Sequence, residues 1–288
     1  MEKLNINWNK ESRLNIDPAL KKFENYLTFK GYSQSSIDRY RTMVKSYLKF
    51  SKKIHPIQSD AEEFRARLIR SNLKRSTINL YSAAIKQYYR MNGEDIDLPY
   101  LKFNNRIPYY LTADDILAIL SVIRNLKHYA MINLCFYSML RASELVSLDD
   151  DDINFKELTV RIRHGKGDKS AILPLNPDCS DILKQYLEIR PEVVLADGSI
   201  PLFPTDFCNR WDRRDFYRMF VAYKKKAGIS IPGGPHLLRH SAATILLKNG
   251  ADIMTVKELM RHERLETTAR YLHMGNDIRE SYNRHLIL

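Results

Sequence analysis

The chain has 288 residues, 44% apolar and 28% charged, a globular composition with enough length to bury the cores of two ordinary domains. No apolar run approaches the length of a membrane span, the start MEKLNINWNKESR has no apolar leader core, and Cys135, Cys179 and Cys208 are odd in number and far apart. These features argue against a membrane span, a secretory signal and a C-x-x-C metal pair, and point to a reducing, cytoplasmic setting.

Residues 1–15 read as an N-terminal extension. Residues 16–92 then read as a small unit of four helices. ALKKFENYLTFK (19–30) is the first, closed by Gly31 in the left-handed region. Ser33 can cap a second, whose apolar stripe is Ile37, Tyr40, Val44, Tyr47 and Leu48. DAEEFRARLIRSN (60–72) is the third, and a fourth carries Ile78, Tyr81, Ile85 and Tyr88. The second and fourth align without gaps, Lys45 matching Lys86; a duplicated helical hairpin and two unrelated amphipathic helices explain this equally well.

Residues 93–110 carry two prolines and no period, and read as a linker. Thr112 and Asp115 form a capping box, followed by the apolar helix LKHYAMINLCFYSML (126–140). LTVRIR and SAILPL, joined by HGKGDK, form a β-hairpin. Helical patterns then run over 177–190, 207–227, 236–249, 252–261 and 265–273. The fold class is mainly α with a small antiparallel β-sheet (α+β), its second domain spanning 111–288.

The net charge of +12 also aids solubility, but the positive residues cluster. KSYLKFSKK, RARLIRSNLKR and NRWDRRDFYRMFVAYKKK interleave basic and aromatic residues, as contacts to a phosphate backbone require. Candidate contacts are Lys45, Lys49, Arg75, Lys86, Arg210, Arg213, Arg214, Lys224 and Lys225. Double-stranded DNA is the expected partner.

HLLRH (236–240) places His236, Arg239 and His240 on one helix face. Zinc is a poor reading: the residue after the first histidine is Leu237 rather than an acid, no third ligand lies nearby, and Arg239 would set a cation beside the metal. A solvated surface conflicts with the flanking leucines and alanines. An anion answers the cluster better, because a buried arginine needs one. Arg141, at the end of an apolar run, is either a second anion ligand or a structural partner of Glu144. Lys166 sits in a turn that fails as a P-loop, having Val160 and Gly167 where glycine and Ser/Thr are needed. Tyr271 follows His262 by nine residues; with seventeen tyrosines in the chain, ordinary packing is the bland alternative for it.

LRASEL, GKGDKSAILPL, HLLRH and the His262–Tyr271 pair, in that order, resemble the tyrosine recombinase (phage integrase) family, and HLLRHSAATILLKNGADIMTVKELMRHERLETTARYLH is similar to its Xer-type motif. The resemblance covers roughly 110–275 well, and residues 16–92 less specifically as the family's SAM-like core-binding domain. It implies that Arg141 and Arg239 clamp the scissile phosphate, Lys166 is the general acid, and His236 is a base or hydrogen-bond partner of the attacking phenol. It further implies that His262 binds the phosphate and Tyr271 is the nucleophile forming a 3′-phosphotyrosyl link. Glu144 would orient Arg141, and His240 would be structural. A covalent link conserves the phosphodiester energy, so neither ATP nor a metal is expected. The resemblance also implies a tetramer on DNA, a tail after Tyr271 packing on a neighbouring protomer or on its own domain, and a role in resolution or in integration and excision. A non-catalytic helical DNA-binding regulator and a type IB topoisomerase-like nicking-closing enzyme are the alternatives. This sequence departs from the family at Arg261, where glycine is usual, and at SMLR, where T-G-L-R is common.

Overall fold

The computed structural model describes residues 15–102, 109–163, 170–262, 264 and 265–269. The chain divides into two compact units, 1–105 and 106–288.

In the first unit, α1 (Asp17–Phe29), α2 (Gln34–Ser51), α3 (Gln58–Arg70) and α4 (Arg75–Met91) pack around a core of Leu20, Phe23, Val44, Tyr47, Leu48, Phe64, Ile78, Ile85 and Tyr88. The stripes on α2 and α4 face each other, because a 3.6-residue period keeps such residues on one side of each helix. Where they meet, the buried Tyr47 and Tyr89 hydroxyls bond each other at 2.8 Å. Ser33 stands at the start of α2, but its hydroxyl bonds Ser35 and Ser36 hydroxyls rather than a backbone N–H.

The expected linker is shorter than its composition suggests. Ile96 and Leu98 are buried in this first core, and the Asn79 side-chain amide both accepts from and donates to the Leu101 backbone. Its alternate apolar residues Ile96 and Leu98 still find a helical surface.

In the second unit, α5 (Ala113–Ser121) starts at the Thr112–Asp115 capping box. The apolar α6 (Leu126–Tyr137) supplies Ala130, Met131, Ile132, Leu134 and Cys135 to the main core. A short α7 (Ala142–Val146) and a 3₁₀ turn at Asp150–Asp152 lead into a three-stranded antiparallel sheet, β1 (Ile153–Asn154), β2 (Thr159–Ile162) and β3 (Ala171–Pro174), in the order β1-β2-β3. Val160 is paired with Leu173 and Ile162 with Ala171, which turns Val160, Ile162 and Leu173 into the core. The hairpin turn at 164–169 lies outside the described residues.

The helices α8 (Pro177–Ile189), α9 (Arg213–Lys226), α10 (His236–Lys248), α11 (Ile253–Met260) and α12 (Leu265–Ala269) complete the described unit. The helix expected from 207 starts only at Arg213. Thr205 and Asn209 bond each other through their backbones, Cys208 has φ 56°, and Asp212 caps the helix through the Arg214 N–H. Met139, Ala242, Ala243, Leu247, Val256 and Met260 form a separate cluster that packs the end of α6 against α10 and α11.

Candidate active site

Three segments carry the site, and local backbone features aim each of them. The first is the end of α6. Met139 takes φ 46°, the left-handed position where helices commonly end, and Leu140 N–H bonds the Cys135 carbonyl. The chain therefore turns sharply and presents Arg141 at the cap of α7. The second is the IPGGP stretch before α10. Gly233 has φ 131°, and Gly234 lies so close to the Tyr217 ring that a Cβ would meet it at 2.1 Å. The buried Lys224 ammonium gathers the Ile231 and Gly233 carbonyls at 2.5 and 2.7 Å, fixing the loop that delivers His236. The third is the end of α11, where Arg261 takes φ 50° and turns the chain toward His262.

Two residues tie these segments together. Arg239, 3% exposed on α10, donates to the Met139 carbonyl at 2.6 Å and to the Met260 carbonyl. One buried guanidinium thus links the segment that ends in Arg141 to the segment that ends in Arg261. Glu144, also 3% exposed, does the same at the side-chain level. Its Oε2 accepts from the Arg141 backbone N–H at 2.7 Å and from Arg261 Nη2 at 2.6 Å, and its Oε1 accepts from Arg141 Nη1 at 2.6 Å. Burial works to raise the Glu144 pKa, but the Arg141 N–H and the Arg261 and Arg141 guanidinium groups outweigh it and hold the carboxyl below its ordinary range.

His236 is exposed at the first turn of α10, yet desolvation, then Arg239 and Arg141, pull its pKa down. The shift favours the neutral imidazole, the form that can accept a proton. His240, one turn on, is pulled down to about 4 by burial, then by His236 and Arg239; the two rings lie 6.4 Å apart. His262 Nδ1 lies 2.9 Å from the buried Thr268 hydroxyl. Arg141, Glu144, His236, Arg239 and His240 thus share one electrostatic environment, positive and partly desolvated, that suits an anion. Lys166 and Tyr271 lie outside the described residues. No group of three or more His, Cys, Asp or Glu among the described residues is placed to hold a metal ion.

The basic clusters divide. Lys49, Arg213, Arg214 and Lys225 are exposed, Lys45 is half-buried, Lys86 lies over the Tyr100 ring at 5.1 Å, and Arg75 donates to the Lys102 carbonyl at 2.8 Å. Two of the expected DNA contacts are engaged within the fold. Lys224 is buried with its charge spent on loop carbonyls. Arg210 pairs with Asp149 and bonds Ser199 Oγ at 2.9 Å, so its guanidinium holds a loop although the side chain stays half-buried. Asp149 also pairs with Arg163 at 2.7 Å, and Asp152 with Arg163 and Arg161, anchoring the end of β2 from which the Lys166 turn departs. Sequence reading missed this network, whose one local signal is the acidic run 149–152.

Two family profiles match the chain: Phage integrase family over residues 109–277, and phage integrase, N-terminal SAM-like domain, over 19–96. The chain is 32% identical over 268 residues to tyrosine recombinase XerA of Pyrococcus horikoshii, spanning 91% of this chain and 90% of that protein. It is 30% identical over 285 residues to tyrosine recombinase XerD of Staphylococcus aureus, spanning 90% and 96%. The crystal structure of XerA recombinase is similar at TM-score 0.56 and 27% identity, over 94% and 99% of the two chains. XerH site-specific recombinase, bound to a palindromic difH substrate in a post-cleavage complex, shares the fold at TM-score 0.71 and 18% identity, over 96% and 98%.

Proposed function

The chain belongs to the phage integrase family and is a tyrosine recombinase, and we propose that it breaks and rejoins DNA through a 3′-phosphotyrosyl link on Tyr271. The observation that carries this reading is the shared electrostatic environment of Arg141, His236 and Arg239, with Glu144 bonded to the Arg141 guanidinium.

In this reading the Tyr271 hydroxyl attacks phosphorus and its proton passes to neutral His236. A free tyrosine, with a pKa of about 10, is a weak nucleophile at pH 7, so the site must stabilise developing phenolate. Arg141 and Arg239 neutralise charge on the non-bridging oxygens as it grows in the transition state, where preorganised donors act most strongly. The bond from phosphorus to the 5′-oxygen breaks, and Lys166 donates the proton that the leaving oxygen takes up. His262 hydrogen-bonds the phosphate. A 5′-hydroxyl from the other duplex then attacks the phosphotyrosine and releases Tyr271. Each step exchanges one phosphoester for another, so no external energy source enters.

Residues 16–92 serve as the core-binding domain and 111–288 as the catalytic domain, four copies acting on two DNA sites in the cytoplasm. The test starts from duplexes recovered by selection against the wild-type protein. Nicked versions are incubated in EDTA with wild type and Tyr271→Phe and run on a denaturing gel. A protein–DNA band in wild type alone supports the reading. Its absence with bound DNA favours a non-catalytic DNA-binding role, and relaxation of supercoils by a monomer without strand exchange favours a topoisomerase-like role.

A further inference from the structure

Arg261 is an unexpected residue at its position. It ends α11 with φ 50°, a conformation that favours glycine and strains a residue with a Cβ. Its side chain is 14% exposed, and its Nε and Nη1 are buried with no hydrogen-bond partner among the described residues. A strained backbone and a buried, incompletely bonded cation both oppose stability. Among the described residues it pairs through Nη2 with Glu144 Oε2 at 2.6 Å, and that is the carboxylate whose other oxygen holds Arg141 Nη1. Glycine would avoid the strain and the buried donors, at the loss of this pair and of the side chain's packing.

Resting on the recombinase reading, we propose that Arg261 is a positioning residue of the active site: by pairing with Glu144 it fixes the carboxylate that orients Arg141 and compensates its charge beside the phosphate. The balance of charge explains the requirement. Arg141 and Arg239 with Glu144 alone would leave a single positive charge among these groups. With Arg261, three guanidinium groups and one carboxylate leave two. A phosphodiester carries one negative charge in the ground state and two in a pentacovalent transition state. The third arginine therefore matches the transition state better than the ground state, which is the condition for raising a rate rather than tightening binding. Arg261 reaches this role across 117 residues of sequence, through one oxygen atom.

The test uses the full chain, selected nicked duplexes and single-turnover formation of the covalent band at saturating DNA. Arg261→Gly relieves the positive φ, so folding is retained and circular dichroism checks it. Its cleavage rate is expected to fall at least about tenfold while DNA affinity changes less than about twofold. Glu144→Gln in the Arg261→Gly background removes the uncompensated charge, keeps an acceptor for Arg141, and should recover part of the rate. A duplex with a neutral methylphosphonate at the scissile position lowers the transition-state charge by one. On it, the difference between wild type and Arg261→Gly should shrink. A wild-type rate for Arg261→Gly, or an equal loss on both duplexes without recovery by Glu144→Gln, overturns the inference and leaves the recombinase reading intact. Failure of wild type itself to form a Tyr271-dependent band removes that reading and this inference with it.

Discussion

Arg239 donates its guanidinium to the Met139 carbonyl at 2.6 Å, across 100 residues of sequence. Together with its bond to Met260, this makes a proposed catalytic arginine also a structural strut between the ends of α6 and α11. The two roles separate experimentally. Arg239→Ala leaves two buried carbonyls short of a donor, each costing on the order of 1–3 kcal/mol. We expect the midpoint of urea unfolding to fall markedly, followed by Trp211 fluorescence in a Trp8→Phe background. Arg141→Ala, whose side chain is more exposed, should leave that midpoint closer to wild type while abolishing covalent adduct formation. Equal unfolding midpoints for the two variants would contradict the strut.

His240 predicts a pH dependence of stability. Its pKa drops from the ordinary 6.5 to about 4 in the folded chain. Between those values the unfolded chain binds the proton more readily, so stability is full above 6.5 and is lost as pH falls toward 4. This loss is bounded by about 1.36 kcal/mol per pKa unit. His236 shifts in the same direction, whereas Glu144 is held below its usual range and contributes only at lower pH. The melting temperature should therefore decline between pH 6.5 and 4, and His240→Gln should flatten that decline. An unchanged slope would place the titrating group elsewhere.

The Tyr47–Tyr89 hydroxyl pair is the buried polar contact between α2 and α4, and each hydroxyl has its pKa raised, chiefly by burial. Removing one oxygen strands the other, at about 1–3 kcal/mol; removing both strands neither. Tyr47→Phe and Tyr89→Phe should each destabilise the first unit more than the double variant does. A double variant with additive losses would refute the pairing.

Salt dependence separates the basic residues by exposure. Neutralising Arg213, Arg214 and Lys225 together should flatten the dependence of log Kd on log salt by up to about three units of slope, one per lost phosphate contact. Lys224→Met and Arg210→Gln should lower stability with little change in slope, since their charges are held by the loop carbonyls and by Asp149. The opposite pattern would put the DNA face elsewhere.

Periodicity made most helices legible, because apolar stripes every 3.6 residues survive folding unchanged; α4 with Ile78, Ile85 and Tyr88 is an instance. Arg141 and Glu144, three apart at a helix start, were also legible as a possible pair. The start of α9 was not: residues 207–212 read as helical, and the fold uses 205–210 for a turn in which Asp149 pairs with Arg210. Nor was the inward packing of Ile96 and Leu98 readable from a proline-bearing segment. The Glu144–Arg261 pair had no local signal, and Arg261 stood out only as a departure from the family.

In the proposed reaction Tyr271 forms a covalent bond to DNA. Protease digestion of the trapped complex, nuclease trimming and tandem mass spectrometry would locate the attachment. A nucleotide linked through its 3′-phosphate to the Tyr271 side chain is the predicted result. Attachment to another tyrosine or to a serine, or cleaved DNA with no protein attached, would contradict it.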